Sequence, residues 1–352
     1  MKRAHLVNFL AIKTKEELAI RASLTMKENI FSKTTTLEKF SPSFPIQAYK
    51  LLKAYAFKIK IVARDEKHEF LFNREFESDS FGCFNIKMKN IDELEKVHVI
   101  EVYEVAKYPG LDILLGTYIP LKIGEDKKLV ICDFDKTLVD TKYSTPEEVY
   151  KSLTSPIEKF PTIDKSVKII KEYIDQGYHP FILSASPHFY ETAMRDWLYA
   201  NNIYSAGIFL KDYRKIFSII EGDLTPKDLK VQGIYKLGHL LDIIYMTGIP
   251  KEIVLMGDNF ESDPLIYLTF YELLKGRLEA REIWNRLKNY EAFKLSNKQN
   301  SLLLNKIYQL KDMIKRTQVD PEIKIYIRKK AEETTLNIPE QFSFGAQSLE
   351  LY

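Results

Sequence analysis

In the first third of the chain, apolar and polar residues alternate with a period of two, which turns one face of an extended segment toward a core and the other toward water. Ala56 to Ala63 alternates around Lys58 and Lys60, Cys83 to Met88 alternates again, and Asp79, Ser80 and Gly82 punctuate between strands. Val97 to Val105 is rich in β-branched residues, and Pro109-Gly110 turns the chain toward Leu114 to Leu121. Only Lys15 to Lys27 spaces its residues in a way that admits a helix. Residues 1–125 are therefore expected to form a small, mostly antiparallel β domain, and the charged stretch Gly124 to Lys128 is its expected boundary.

From Lys128 onward strands alternate with helices, the signature of a parallel sheet in an α/β unit. Strands are expected at Leu129 to Cys132, Pro180 to Leu183, Ile208 to Leu210, Glu252 to Met256 and Ile323 to Ile327. Ser144 or Thr145 is placed to cap a helix with Pro146 in its first turn and Glu147 and Glu148 near its positive end. Ile163 to Gln176 carries Val167, Ile169, Ile170 and Tyr173 on one face and stops at Gly177. Phe189 to Ala200 and Ile234 to Met246 read as further helices. The second domain is expected over 126–335 with a helical insertion at about 275–317, and 336–352 reads as a loosely held tail.

Composition narrows the class of partner. The chain has 352 residues with 52 Lys plus Arg against 49 Asp plus Glu, a net charge of +3 that offers no overall footprint for nucleic acid, so none is expected as a partner. Two cysteines, Cys83 and Cys132, have neither a disulfide pattern nor metal-type spacing and point to a reducing compartment. The start, MKRAHLVNFLAIKTKEEL, has too short an apolar stretch for a signal peptide, and the longest apolar runs fall far below the roughly 18 residues a membrane span needs. A cytoplasmic protein, peripheral at membranes at most, is the expectation.

Four features fall at strand or helix ends, where parallel sheets build their sites. Asp133-Phe134-Asp135-Lys136-Thr137 follows the first strand. Side chains alternate faces along an extended chain, and a curl after Asp133, tied by Thr137 and the Lys136 amide, is expected before both carboxylates converge. Ser184-Ala185-Ser186-Pro187 ends the second strand, and a small hydroxyl there can bond a phosphate oxygen without adding charge. Lys236, at the start of a helix, can pair with phosphate or steady a carboxylate. Gly257-Asp258-Asn259-Phe260-Glu261-Ser262-Asp263-Pro264 allows a sharp turn and delivers two more carboxylates, the ligands a hard cation takes.

At these residues the sequence resembles the haloacid dehalogenase superfamily of Mg²⁺-dependent phosphatases, whose four motifs are matched in order by Asp133 to Thr137, Ser184, Lys236 and Asp258 with Asp263. Leu183 to Pro187, Tyr235-Lys236-Leu237, Met256-Gly257-Asp258, Asp263 to Tyr267 and Ile325 to Arg328 look like the catalytic domain of the actin-patch-type phosphatidate phosphatase family. Glu77 to Phe84 is faintly similar to a turn in the small β domain that precedes catalysis there. The resemblance implies a haloacid-dehalogenase-like Rossmannoid parallel sheet, and the short spacing of Asp133, Ser184 and Lys236 leaves no room for a large cap. It implies Asp133 as nucleophile, Asp135 as acid and base, Ser184 and Lys236 as phosphate-binding groups, and Mg²⁺ on Asp133, Asp135, Asp258 and Asp263. It also implies a phosphorylated substrate, phosphatidate at a membrane surface. Family members carry a third acidic residue in the first motif where this chain has Lys136.

Other readings stand beside these. The same motifs would serve a phosphatase of a soluble metabolite, a nucleic-acid end or a phosphoprotein, and a catalytically silent binding protein is the alternative outside the enzymes. Lys227 and Lys230 compete with Lys236 for the site; Ser186 reads as a helix cap, and Asp263 with Pro264 can be one too. His188 at a helix start can touch substrate, Cys132 reads as a buried strand residue, and Arg328-Lys329-Lys330 reads as a solvated face.

Overall fold

A computed structural model of the chain describes residues 2–28, 56–105, 110–141, 155, 157–187, 190–211, 233–260, 262–293, 297–329, 336 and 338–352. The helix expected at Ser144 to Glu148, His188, Lys227 and Lys230 lie outside the described residues. Two compact units divide the chain, Met1–Glu125 and Asp126–Tyr352.

The first unit holds β1 (Lys2–Lys13), β2 (Glu17–Glu28), β3 (Lys58–Arg64), β4 (Phe70–Glu77), β5 (Cys83–Lys89), β6 (Val99–Glu104), β7 (Ile113–Tyr118) and β8 (Leu121–Lys122). They form two four-stranded sheets, ordered β5-β2-β1-β8 and β4-β3-β6-β7. β2 corrects the helix admitted at Lys15 to Lys27. Leu18, Ile20, Ala22 and Leu24, spaced by two, are all buried, and β2 is paired on both sides, antiparallel to β1 and β5. That face packs on Ile59, Ile61, Ala63, Ile100 and Val102 of the other sheet. Each buried Leu, Ile or Val there contributes roughly 1.5–3 kcal/mol, and a slip by one residue would turn the whole inward set outward. Gly82, between β4 and β5, has a φ of +75°, and a Cβ there would sit 2.5 Å from the Leu24 carbonyl oxygen, so only glycine closes this turn.

The second unit is a mixed α/β structure. In chain order it holds β9 (Lys128–Asp133), α1 (Asp164–Asp175), β10 (His179–Pro187), α2 (Glu191–Ala200), β11 (Gly207–Lys211), α3 (Gly233–Thr247), β12 (Glu252–Asp258), α4 (Asp263–Leu274), α5 (Ala280–Leu287), α6 (Asn297–Thr317), β13 (Glu322–Arg328) and β14 (Leu349–Leu351). Its sheet has six strands in the order β11-β10-β9-β12-β13-β14, with every pair parallel. β9 is central, and its Leu129, Val130, Ile131 and Cys132 are fully buried, which explains why they read as an unbroken apolar run instead of alternating. Successive strands grow outward from β9 to β11, and the chain then returns to the other side of β9 with β12, so the order reverses between β9 and β12. The carboxyl ends at such a reversal open a crevice. Residues 275–317 hold α5 and α6, and α6 packs on α3 and α4.

The tail is not loosely held. After a 3-10 segment, Glu340–Ser348, whose Phe342 is buried, β14 pairs in parallel with β13, and the Tyr352 hydroxyl lies 2.8 Å from Ser166 Oγ. Three residues are too short a strand to show a period, while the edge of β13 offers backbone groups that need partners.

Candidate active site

The loop after β9 curls. Leu138 N and Val139 N donate to the Phe134 carbonyl at 2.9 and 3.2 Å, and Lys136 N donates to the Val139 carbonyl at 2.7 Å. Lys136 sits at the turn with a left-handed φ of 59°, a conformation that costs a non-glycine residue roughly 1–2 kcal/mol. Phe134, between the two aspartates, is buried edge-on against Trp197 of α2, with centroids 5.2 Å apart, and this anchors the loop to the core. Both carboxylates are buried, as is Thr137, whose hydroxyl lies 3.5 Å from Asp133 Oδ2.

Asp135 is held by hydroxyls. Ser184 Oγ and Ser186 Oγ, both at the end of β10, donate to its Oδ2 at 2.7 and 2.9 Å, and Thr141 Oγ1 donates to its Oδ1 at 3.1 Å. Ser184 Oγ also accepts from Ser186 N at 2.9 Å. The hydroxyl expected to meet a phosphate oxygen thus bonds a carboxylate here. Ser186 is not a helix cap, since α2 begins only at Glu191. Thr141 carried no sequence signal, whereas Ser186 stands two positions after Ser184 on an extended strand and so shares its direction.

Across the reversal, β12 ends in Gly257 and Asp258, and α4 begins at Asp263. A Cβ on Gly257 would lie 2.5 Å from Asp263 Oδ2 and 2.7 Å from Tyr267 Cε2, so the absence of a side chain is what admits the Asp263 carboxylate. Ser262, not Asp263, takes the N-cap position of α4, and the Asp263 carboxylate turns to the site: its Oδ1 pairs with Lys236 Nζ at 2.5 Å, and its Oδ2 accepts from Asp258 N at 3.3 Å. Its place in the first turn of α4 also favours its negative charge. Asp258 Oδ1 accepts from Phe260 N at 2.6 Å, closing the turn.

Lys236, on α3, is fully buried and reaches both sides, with Nζ 2.5 Å from Asp263 Oδ1 and 3.2 Å from Asp133 Oδ1. The preceding residue fixes its helix to β10 and β11, because the Tyr235 hydroxyl shares its proton between the carbonyls of Ser184 and, at 3.0 Å, Phe209. Asp133, Asp258 and Asp263 each bring a ligand oxygen within 4.8 Å of the others, and all three are buried. These are three carboxylates close together, and Lys236 pairs with two of them. Such an excess of buried negative charge is tolerated only with a further cation or by protonation, and an all-oxygen donor set suits a hard divalent ion. This buried aspartate cluster is thus fit to bind a metal. The Cys132 thiol is pushed well up, first by burial and then by the Asp133 and Asp263 charges, which removes it as a nucleophile.

The structure therefore brings Asp133, Asp135, Ser184, Lys236, Asp258 and Asp263 to one end of the sheet, and adds Ser186 and Thr141. With that geometry in view, sequence comparison is informative. The sequence pattern described as phosphatidate phosphatase APP1, catalytic domain, matches residues 128–284, which agrees with the family resemblance read from the motifs. No curated protein matches the chain. Solved structures with similarity include a beta-glucuronidase of Parabacteroides merdae, 12% identical with a TM-score of 0.30 over 94% of this chain and 34% of that one. Another is the Bifidobacterium dentium beta-glucuronidase, 8% identical with a TM-score of 0.29 over 99% of this chain and 60% of that one. The chain spans about a third of the length of the first, and scores of this size carry no argument about it. No helix among the described residues is long and apolar enough to cross a membrane.

Proposed function

We propose that the chain is a Mg²⁺-dependent phosphomonoesterase of the haloacid dehalogenase type, acting on phosphatidate to give diacylglycerol and phosphate. The observation that supports this most is the buried meeting of Asp133, Asp258 and Asp263 around Lys236 at the point where the strand order reverses. The match of 128–284 to the phosphatidate phosphatase catalytic domain supports the lipid as substrate. In this reading residues 1–125 are a separate domain, and catalysis belongs to the segment that follows, in a cytoplasmic protein that meets its substrate at a membrane surface.

Asp133 attacks phosphorus in line, forming an aspartyl phosphate as the bond to the glycerol oxygen breaks. Asp135 gives that oxygen its proton, then takes one from the water that hydrolyses the aspartyl phosphate and frees Asp133. The hydroxyls of Ser186 and Thr141 on Asp135 orient its carboxyl group for both transfers. Lys236 holds Asp133 in place and neutralises charge on the phosphoryl oxygens, and Ser184 turns its hydroxyl to one of them when substrate enters. Mg²⁺ held by Asp133, Asp258, Asp263 and the Asp135 backbone carbonyl would supply the Lewis acidity for charge at phosphorus.

Phosphate release from phosphatidate in mixed micelles and from a small aryl phosphate, with and without Mg²⁺, tests the proposal. Release from phosphatidate that needs Mg²⁺ and is lost in Asp133→Asn supports it. Release from the aryl phosphate alone removes the lipid and keeps the enzyme, and release from neither refutes both.

A further inference from the structure

Arg328 ends β13, and nothing in the reading above gives it a part. Its side chain is mostly buried, and its Nη1 donates to the Lys136 carbonyl at 2.6 Å and pairs with Asp140 Oδ1 at 3.0 Å. Its guanidinium carbon lies 5.3 Å from the centre of the Phe260 ring, and its own carbonyl accepts from Asn259 N at 2.9 Å. One residue thereby grips both loops that carry the carboxylates: the curl Asp135 to Asp140 on one side, and the turn Asp258 to Phe260 on the other. The carbonyl it holds belongs to Lys136, the left-handed residue immediately after Asp135, where the curl has the greatest tendency to relax. Phe260, through its amide, is in turn bonded to Asp258. A planar guanidinium can bond a carbonyl and a carboxylate while lying against a ring; an ammonium can do the first but not the stacking.

We infer that Arg328 is a positioning residue that sets the spacing of the Asp133–Asp135 loop from the Asp258 turn, and thereby the site's affinity for a divalent cation and its turnover. This rests on the phosphatase reading for turnover, but the cation affinity can be read without it. Partners that orient metal ligands are worth 10- to 100-fold in affinity or activity when removed.

The test uses the full chain with Arg328→Met and Arg328→Lys. Four quantities are measured: Mg²⁺ affinity by calorimetry, kcat and KM for phosphate release from phosphatidate micelles, and the melting temperature in EDTA. Arg328→Met is expected to weaken Mg²⁺ binding and lower kcat by about 10- to 100-fold, with KM within about twofold, and Arg328→Lys to recover part of both. Mg²⁺ affinity within about twofold of wild type, or a loss fully explained by melting below the assay temperature, overturns the inference. If Arg328→Met does not fold, Arg328→Lys decides alone: weaker Mg²⁺ binding at an unchanged melting temperature supports the inference, and unchanged binding overturns it. Wild-type protein that binds Mg²⁺ but hydrolyses neither phosphatidate nor aryl phosphate refutes the phosphatase reading, while the Mg²⁺ titrations still judge Arg328. Wild-type protein that binds no Mg²⁺ refutes both.

Discussion

Asp133→Asn should abolish Mg²⁺-dependent phosphate release yet make the metal-free protein more stable. Asp133 Oδ1 lies 3.2 Å from Lys236 Nζ, and its ligand oxygen is within 4.8 Å of those of Asp258 and Asp263. At an effective dielectric of about 20, the lost attraction is about 5 kcal/mol, and each relieved repulsion is at least about 3.5 kcal/mol. Two repulsions outweigh one attraction by about 2 kcal/mol. A unit of this size gains roughly 2–4 °C in melting temperature per kcal/mol, so the variant should melt about 4–8 °C higher in EDTA. Saturating Mg²⁺ should reverse the order, because a ligand at 100 times its Kd adds about 2.7 kcal/mol to the protein that binds it, and the variant binds it less well. The assay is thermal denaturation of both proteins in EDTA and in Mg²⁺. A variant that melts at or below wild type in EDTA would refute the reasoning that repulsion among these three carboxylates outweighs the pull of Lys236 on Asp133.

Lys236→Met leaves Asp133 and Asp263 without their shared ammonium, and breaking such a buried pair from one side costs about 3–5 kcal/mol, to be read from urea unfolding in EDTA; an unchanged midpoint would contradict the pairing. Gly257→Ala forces a methyl group against Asp263 and Tyr267 and should cost about 1–3 kcal/mol, with weaker Mg²⁺ binding by calorimetry; wild-type values for both would show that the backbone yields there. Burial lowers the pKa of His179 below its ordinary 6.5, so the unfolded chain binds the proton more readily, and the stability His179 leaves intact above that value is lost as pH falls through it. His179→Gln should therefore flatten the fall in urea midpoint between about pH 7.5 and 5.5, and equal slopes for the two proteins would rule this group out.

What was legible in the sequence depended on whether the signal was local. Each strand carrying a site residue showed as an apolar run ending in a polar residue, so Asp133, Ser184 and Asp258 could be placed at strand ends from spacing alone. β2 was misread because a charged segment holding Leu18, Ala22 and other small apolar residues suits either period; burial of Ile20 and Leu24 on the same face settles it as a strand. The hydroxyls on Asp135 come from Ser184 and Ser186, about 50 positions downstream, and from Thr141 beyond a tight curl, and no period in the chain announces such bonds. The pairing of β14 with β13 rests on backbone groups, which carry no residue code. For Asp263 the sequence admits a helix cap beside the site role, and in the structure Ser262 takes the cap position while the Asp263 carboxylate pairs with Lys236.

The packing of Phe134 against Trp197 has an optical consequence. The chain has only two tryptophans, and Trp197 touches the residue that lies between the two aspartates of the β9 loop, while Trp284 sits on α5. Replacing Trp284 with phenylalanine would leave a single tryptophan, excited selectively over the tyrosines at the red edge of absorption, against that loop. Its emission would then follow the loop in real time as ions or phosphate analogues are added, with no label attached and no turnover required.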